Sequence, residues 1–413
     1  MLQEDKQILW RSSAVFIGAA LPTMLLGKSI VFVLLLLGML TGLVATKDES
    51  LRTTMKLLLN SRITLMLLVL MASLLVGVST GINPAYALEQ WVQVGIFLLC
   101  GAILFVTLRE MPGRHVELLM KVLAAGTMIV AALALVDALA HSPRLSAAMH
   151  GRDMALEPFR LTHMSAILAV VLPFVWARML LKSREGEPFA IRVAPWVFGF
   201  GFVVAIVCGG VPGVLGLASA LLIFLGMTSR YHGAVIHKRH WLIGAVLLAV
   251  AFALYVAAWG IEHVGDMAIS LDSRVGMWTA ALAGFMEKPL FGIGVGNYRH
   301  MMDVVDTNPN SWLLQVLLEG GIVSIALFVA LMAMVFWRFI GFAKGNIYGV
   351  AALASLTAYM VAGLFYNSLF NGWWMTFLIV VCMLGWRNGW GGGDLKKRRR
   401  ASVVVKNTHF AGK

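Results

Sequence analysis

Long apolar runs alternate with short polar stretches along almost the whole chain. A run of about 20 apolar residues is what one α-helix needs to cross the hydrocarbon of a bilayer. The pattern predicts about twelve such helices, at 14–26, 30–45, 63–80, 91–108, 118–140, 161–181, 193–209, 214–228, 241–260, 313–337, 347–366 and 369–386. Turn signals fall between them: Gly27-Lys28, the polar stretch Lys47–Arg62, Asn83-Pro84, and Val211-Pro212-Gly213. The expected fold is therefore all-α, a polytopic membrane protein. One stretch interrupts the alternation. Residues 261–312 form the only long polar segment between apolar runs. The expected organisation is nine spans in 1–260, a loop carrying an amphipathic helix at 261–312, three spans in 313–386, and a basic tail at 387–413.

Composition agrees with this reading. The chain is 60% hydrophobic and 13% charged, far more apolar than a soluble domain. A net charge of +13 would also suit nucleic acid, but the positive residues cluster in short loops, which is a topology signal. No nucleic-acid partner is predicted. With twelve spans, about 26 of the 33 Lys and Arg lie in loops on the side of the termini and about 7 on the other. The termini are then cytoplasmic and 261–312 is outside the inner membrane. In a Gram-negative bacterium that is the periplasm, where no ATP is available and the substrate must bring its own energy. Trp91, Trp241, Trp337, Trp373 and Trp386 fall at predicted span ends, as an interfacial belt would place them. The first apolar run leads directly into a second, so it reads as a retained span rather than a cleaved signal. Membrane lipids are expected partners. The Lys396–Arg400 cluster reads either as a contact for an anionic leaflet or as a plain stop-transfer anchor. Cys100, Cys208 and Cys382 stand far apart inside apolar runs, with no metal-ligand spacing. No metal and no cofactor are predicted.

Candidate chemistry concentrates in the long polar segment. Arg274 precedes Trp278, Ala281, Leu282 and Phe285, which recur at one helix face. The helix this predicts is too short to span and would lie at the interface, with Asp272 or Ser273 as its cap. A guanidinium at headgroup depth suits phosphate, which it binds in a fork; it equally suits anchoring the helix to lipid headgroups. After Glu287-Lys288-Pro289 comes Gly292-x-Gly294-x-Gly296-Asn297. No strand precedes it, so it reads as a tight turn passing close to neighbouring backbone rather than a nucleotide loop. Arg299 is a second candidate phosphate ligand, and His300 is a candidate proton carrier near neutral pH. Gln315 and Glu319 stand near the outer end of the tenth span, where an ionisable group has a partner or a task. Arg160 and His163 are one helical turn apart at the start of the sixth span, able to line the same cavity or to close a local salt-bridge network.

The run SLDSRVGMWTAALAGFMEKPLFGIGVGNY resembles a signature of the O-antigen ligase and O-antigen polymerase family. NSWLLQVLLEGGIVSIALF resembles the family segment that opens with histidine-asparagine and runs into an apolar helix. The resemblance implies a GT-C-like membrane glycosyltransferase that is metal-independent. Its donor would be an undecaprenyl-diphosphate-linked glycan, and its acceptor a lipid A–core sugar (ligase) or another glycan (polymerase). It implies diphosphate binding by arginine, at Arg274, and assistance to the acceptor hydroxyl by a loop histidine. In register with Gln315, Glu319 and Gly321, that histidine falls on Asn310, which can hydrogen-bond a hydroxyl but not take its proton. The family's arginine between spans seven and eight has no counterpart in Cys208–Gly213. The candidate set is thus His300 and Asn310 for catalysis, Arg274, Arg299 and Arg160 for the diphosphate, and His163 and Glu319 as acceptor-side or structural polar groups. A non-catalytic binder of lipid-linked glycans on the same scaffold is the second reading. A transporter ranks last, since Asp137 and Arg178 lie near span ends and mid-span charge is sparse.

Overall fold

The computed structural model describes residues 3–25, 27–139, 158–186, 188–208, 211–232, 262–301, 311–365 and 369–387. Among these residues the secondary structure is helical throughout, with no strand. The helices are α1 (Gln3–Ala20), α2 (Lys28–Ala45), α3 (Asp48–Leu59), α4 (Arg62–Ser79), α5 (Pro84–Glu110), α6 (Gly113–Leu139), α7 (Pro158–Arg184), α8 (Pro188–Val207), α9 (Val211–His232), α10 (Glu262–Glu287), α11 (Tyr298–Met301), α12 (Trp312–Gly345), α13 (Ile347–Phe365) and α14 (Gly372–Arg387). Seven of them, α4, α5, α6, α7, α9, α12 and α13, are long and apolar enough to cross a membrane. Counting the bent pair α2 and α3 as one span raises this to eight. The chain is a multi-pass membrane protein. The ninth span expected at 241–260 lies outside the described residues.

Helices α7 and α13 are the most buried of the spans, and small residues let their neighbours close on them. A Cβ at Gly216 of α9 would meet the Ala358 carbonyl at 3.0 Å and the Ala362 Cβ at 3.3 Å, both on α13, and the Ala169 Cβ of α7 at 3.4 Å. Gly213 rests on Ser165 of α7. Without water to drive association, close backbone approach of this kind is what holds membrane helices together. Trp176, Phe224, Tyr359, Trp374 and Phe377 fill the remaining volume and are almost wholly buried.

Two ends of the bundle are defined by their contacts. At one end, Arg387 donates to the Met111 carbonyl (2.9 Å), a His232 ring nitrogen lies 2.7 Å from the Ala343 carbonyl, and Arg109 pairs with Glu110 at 3.8 Å. At the other, the α4–α5 turn meets the glycine-rich segment, with Ile82 N–H donating to the Ile293 carbonyl at 3.1 Å.

The sequence pattern reads 47–62 as a polar loop; the structure folds most of it into α3, which turns through 119° from α2. Asp48 and Glu49 occupy its first turn and Lys56 its last, both favourable against the helix dipole. Its buried side fastens to α5: Ser50 Oγ donates to Glu110 Oε2, and Thr54 Oγ1 donates to Glu110 Oε1 at 2.9 Å. Glu110→Ala is expected to leave both hydroxyls without their acceptor and to cost about 1–3 kcal/mol. The effect should be local. Amide hydrogen exchange measured by mass spectrometry should rise across 48–59 before the rest of the bundle responds.

Candidate functional site

The site is built around a break in α12. Helical backbone fails at Gly321 (φ 70°, ψ −175°), which divides α12 into a short first piece, Trp312–Gly320, and a longer second piece. An unbroken helix would pair the Leu318 carbonyl with the Ile322 N–H and the Glu319 carbonyl with the Val323 N–H. The glycine-rich segment supplies all four missing partners. Ile293 N–H donates to the Leu318 carbonyl and Gly294 N–H to the Glu319 carbonyl, both at 3.0 Å. Ile322 N–H donates to the Pro289 carbonyl at 2.8 Å and Val323 N–H to the Leu290 carbonyl at 3.3 Å. Buried backbone polar groups must be paired, above all near lipid, and this exchange pairs them.

The exchange explains the glycines. Gly292, Gly294 and Gly296 all have positive φ (71°, 91° and 76°). A Cβ at Gly292 would lie 2.5 Å from the Leu318 carbonyl oxygen. On the other side, Gly77 of α4 faces the Phe291 carbonyl, and a Cβ there would stand 2.5 Å from its oxygen. The Gly-x-Gly-x-Gly-Asn run is thus a backbone lock threaded between α4 and the broken α12. Asn297 closes it: its Nδ2 donates to the Ile293 carbonyl at 2.7 Å.

Glu319 is shut away from solvent, and among the described residues no arginine pairs with it. It is 1% exposed, and its Oε2 accepts from the Gly296 N–H at 2.9 Å and from Gln315 Nε2 at 3.2 Å. The Tyr298 backbone also bonds to it. Its carboxyl therefore holds the start of α11, the short helix that carries Arg299 and His300.

Those two residues are exposed and share one partner that sequence reasoning missed. Arg299 lies over the Tyr86 ring, 5.1 Å from its centroid, and donates to the Tyr86 hydroxyl at 2.8 Å. The His300 ring meets the same tyrosine edge-on, with centroids 4.9 Å apart. Tyr86 is available because α5 begins at Pro84, with Asn83 Oδ1 capping the Tyr86 N–H at 3.2 Å. The sequence pattern starts this span at Trp91 and leaves Tyr86 in a turn. Nearby, Lys288 Nζ donates to the Thr80 carbonyl.

The amphipathic helix is longer than expected. It runs from Glu262, so Asp272 and Ser273 lie inside it rather than at its N-terminus. Among its described side chains the buried positions are Ala281 and Gly284, with Phe285 packed beside them against Ile293, Tyr298 and Leu318. Leu282, expected on the apolar face, is 44% exposed. Arg274 stands two turns before Ala281, about 10 Å along the axis; its side chain is outside the described part of the structure. The same holds for the side chains of Arg160 and His163 in the first turns of α7, and Asn310 lies outside the described residues altogether.

The structure thus brings Arg299, His300 and Glu319 to one lock, with Arg299 and His300 facing outward and Glu319 facing inward. Among the described residues no group of His, Cys, Asp and Glu is placed to hold a metal ion. A cavity of about 1380 Å³ lies away from this site, at the other end of the bundle. Compared with known proteins, the chain matches no family model and none of the curated sequences.

Proposed function

We propose that this chain is a divergent member of the O-antigen ligase and O-antigen polymerase family, with about twelve spans and both termini cytoplasmic. Its lock would face the periplasm of a Gram-negative inner membrane. The reaction would move a glycan from undecaprenyl diphosphate to an acceptor sugar in surface-polysaccharide assembly. The acceptor hydroxyl attacks the anomeric carbon, the bond from that carbon to the diphosphate oxygen breaks, and undecaprenyl diphosphate leaves. His300 takes the hydroxyl proton. Arg274 and Arg299 balance the charge on the departing diphosphate. Asn310 orients the acceptor hydroxyl, and Arg160 and His163 line the approach.

One observation carries the reading. The run that resembles the family signature is a single structural unit: helix α10, the Pro289 stop, and the lock that presents Arg299 and His300 outward. Helical periodicity puts Arg274 in register with Ala281, seven residues on, whose Cβ packs on that unit. A positive site of this kind fits a diphosphate better than a neutral sugar.

A second reading, a non-catalytic binder of lipid-linked glycans, is favoured by asparagine at position 310 and by the lack of arginine in 208–213. Alanine variants separate the two. In a deletion strain complemented with Arg274→Ala or His300→Ala, surface polysaccharide on gels is expected to fall at least tenfold, with the variant protein still present in the membrane. Full display by both variants, while deletion abolishes it, would rule out transfer through these residues. Intact display in the deletion strain would remove the transferase reading altogether.

A further inference from the structure

At the end of the bundle opposite the lock, a cavity of about 1380 Å³ opens between the last turn of α3, the start of α4, α12 and α14. Its walls are apolar, with Leu57, Phe105, Met334, Phe339 and Met383 among them. Its polar rim carries two guanidinium groups, Arg62 and Arg338, both exposed. Arg338 is set over the Trp386 ring at 5.3 Å. Among the described residues no Asp or Glu lines it and neither arginine is in a salt bridge. An apolar chamber with positive charge only at its mouth is the complement of an amphiphile whose head is an anion.

Three further observations narrow the ligand. The volume exceeds the 300–1,000 Å³ of usual small-molecule pockets, which suits acyl chains better than a compact metabolite. Helix α3, at 119° to α2, supplies Leu57 and Leu58 to the wall, so the mouth opens where an amphipathic helix turns away from the spans. This end also gathers Lys56, Arg109, Arg230, Lys344 and Arg387 at helix ends. By the positive-inside rule that end meets the cytoplasmic leaflet, where anionic phospholipids are held.

We infer that this cavity is a binding site for an anionic phospholipid of the cytoplasmic leaflet, its phosphate between Arg62 and Arg338 and its acyl chains against Phe105, Phe339 and Met383. Guanidinium binds phosphate oxygens in a fork, and a site with two of them discriminates charged from zwitterionic headgroups. The segment that follows Arg387 is a poor occupant, because its Lys396–Arg400 cluster has the same sign as the rim.

Native mass spectrometry of the full chain, released from nanodiscs of equimolar phosphatidylglycerol and phosphatidylethanolamine, tests this. The wild type is expected to retain phosphatidylglycerol about tenfold over phosphatidylethanolamine, a preference worth about 1.4 kcal/mol. R62Q/R338Q should bring the ratio to about one. Ala333→Trp, which adds an indole to the lining of the chamber and leaves the rim, should lower retention of both lipids. Equal retention by the wild type, or an unchanged ratio in R62Q/R338Q, overturns the proposal. So does a rise in retention when Val403, Val404 and Val405 are changed to glutamine, since the apolar stretch of the tail would then have been the resident occupant. The readout does not depend on glycan transfer, so it stands or falls apart from the proposed function.

Discussion

Replacing Gly321 with alanine is expected to abolish recovery of folded protein. The backbone there, at φ 70° and ψ −175°, lies in a region that is essentially glycine-only, and a side chain forced into it costs about 1–3 kcal/mol. The space is also taken. A Cβ at 321 would stand 2.3 Å from the Leu290 carbonyl oxygen, 2.4 Å from its carbon and 2.5 Å from the Phe291 nitrogen. All three are backbone atoms, so nothing flexible can swing aside. Either the glycine-rich segment withdraws or the helix straightens, and both abandon the four exchanged hydrogen bonds. At about 1 kcal/mol net for each bond, the combined loss reaches the 5–15 kcal/mol that usually separates folded from unfolded domains. Gly341→Ala is the control: a Cβ there meets nothing within 4 Å, and alanine in a helix interior is favoured over glycine. The measurement is the yield of monodisperse protein in detergent with its thermal unfolding curve. A G321A protein melting within a few degrees of wild type would show that the break does not depend on this backbone conformation.

The same residue marks the limit of what the sequence discloses. Gly320-Gly321 stands inside a run whose hydropathy continues without interruption, and glycine is ordinary in membrane helices. Nothing local signals a break; it is stable only because a segment some 30 residues earlier supplies its hydrogen-bond partners. The glycine-rich turn, by contrast, was legible as a close backbone pass, because three alternate glycines have few other uses. The boundaries of α4 and α13 also followed from apolar runs. Helix α3 did not, since Leu51, Met55 and Leu58 are too few to stand out in a polar stretch until Glu110 and the bundle are there to receive them. Tyr86 was overlooked because Asn83-Pro84 reads equally well as a turn and as a helix start. Which of these it is depends on the segment that packs above it. The inward placement of Glu319 could not be read at all: its donors are Gln315, one turn away, and the backbone of a loop more than 20 residues earlier.

Glu319→Ala is expected to cost about 3 kcal/mol or more, because it strands two backbone N–H groups and an amide in a buried site, at about 1–3 kcal/mol for each buried donor left unpaired. Glu319→Gln should fall between the alanine variant and wild type. Its amide oxygen can still accept from the Gly296 N–H, but its nitrogen offers a donor where Gln315 Nε2 already is one. Combining Glu319→Ala with Gln315→Leu should restore about 1 kcal/mol relative to the sum of the single changes, since the leucine removes one of the stranded donors. The structural consequence should reach beyond stability. Arg299 and His300 ride on the helix that begins at Tyr298, and the Glu319 carboxyl holds the backbone on which that helix starts. Glu319 is then a positioning residue for the outward pair. In Glu319→Ala, amide exchange at 294–301 should accelerate even where the bundle remains folded, whereas Arg299→Ala should leave exchange at 294–297 unchanged. Unchanged exchange at 294–301 in a folded Glu319→Ala protein would mean that the lock is held by its glycine backbone alone.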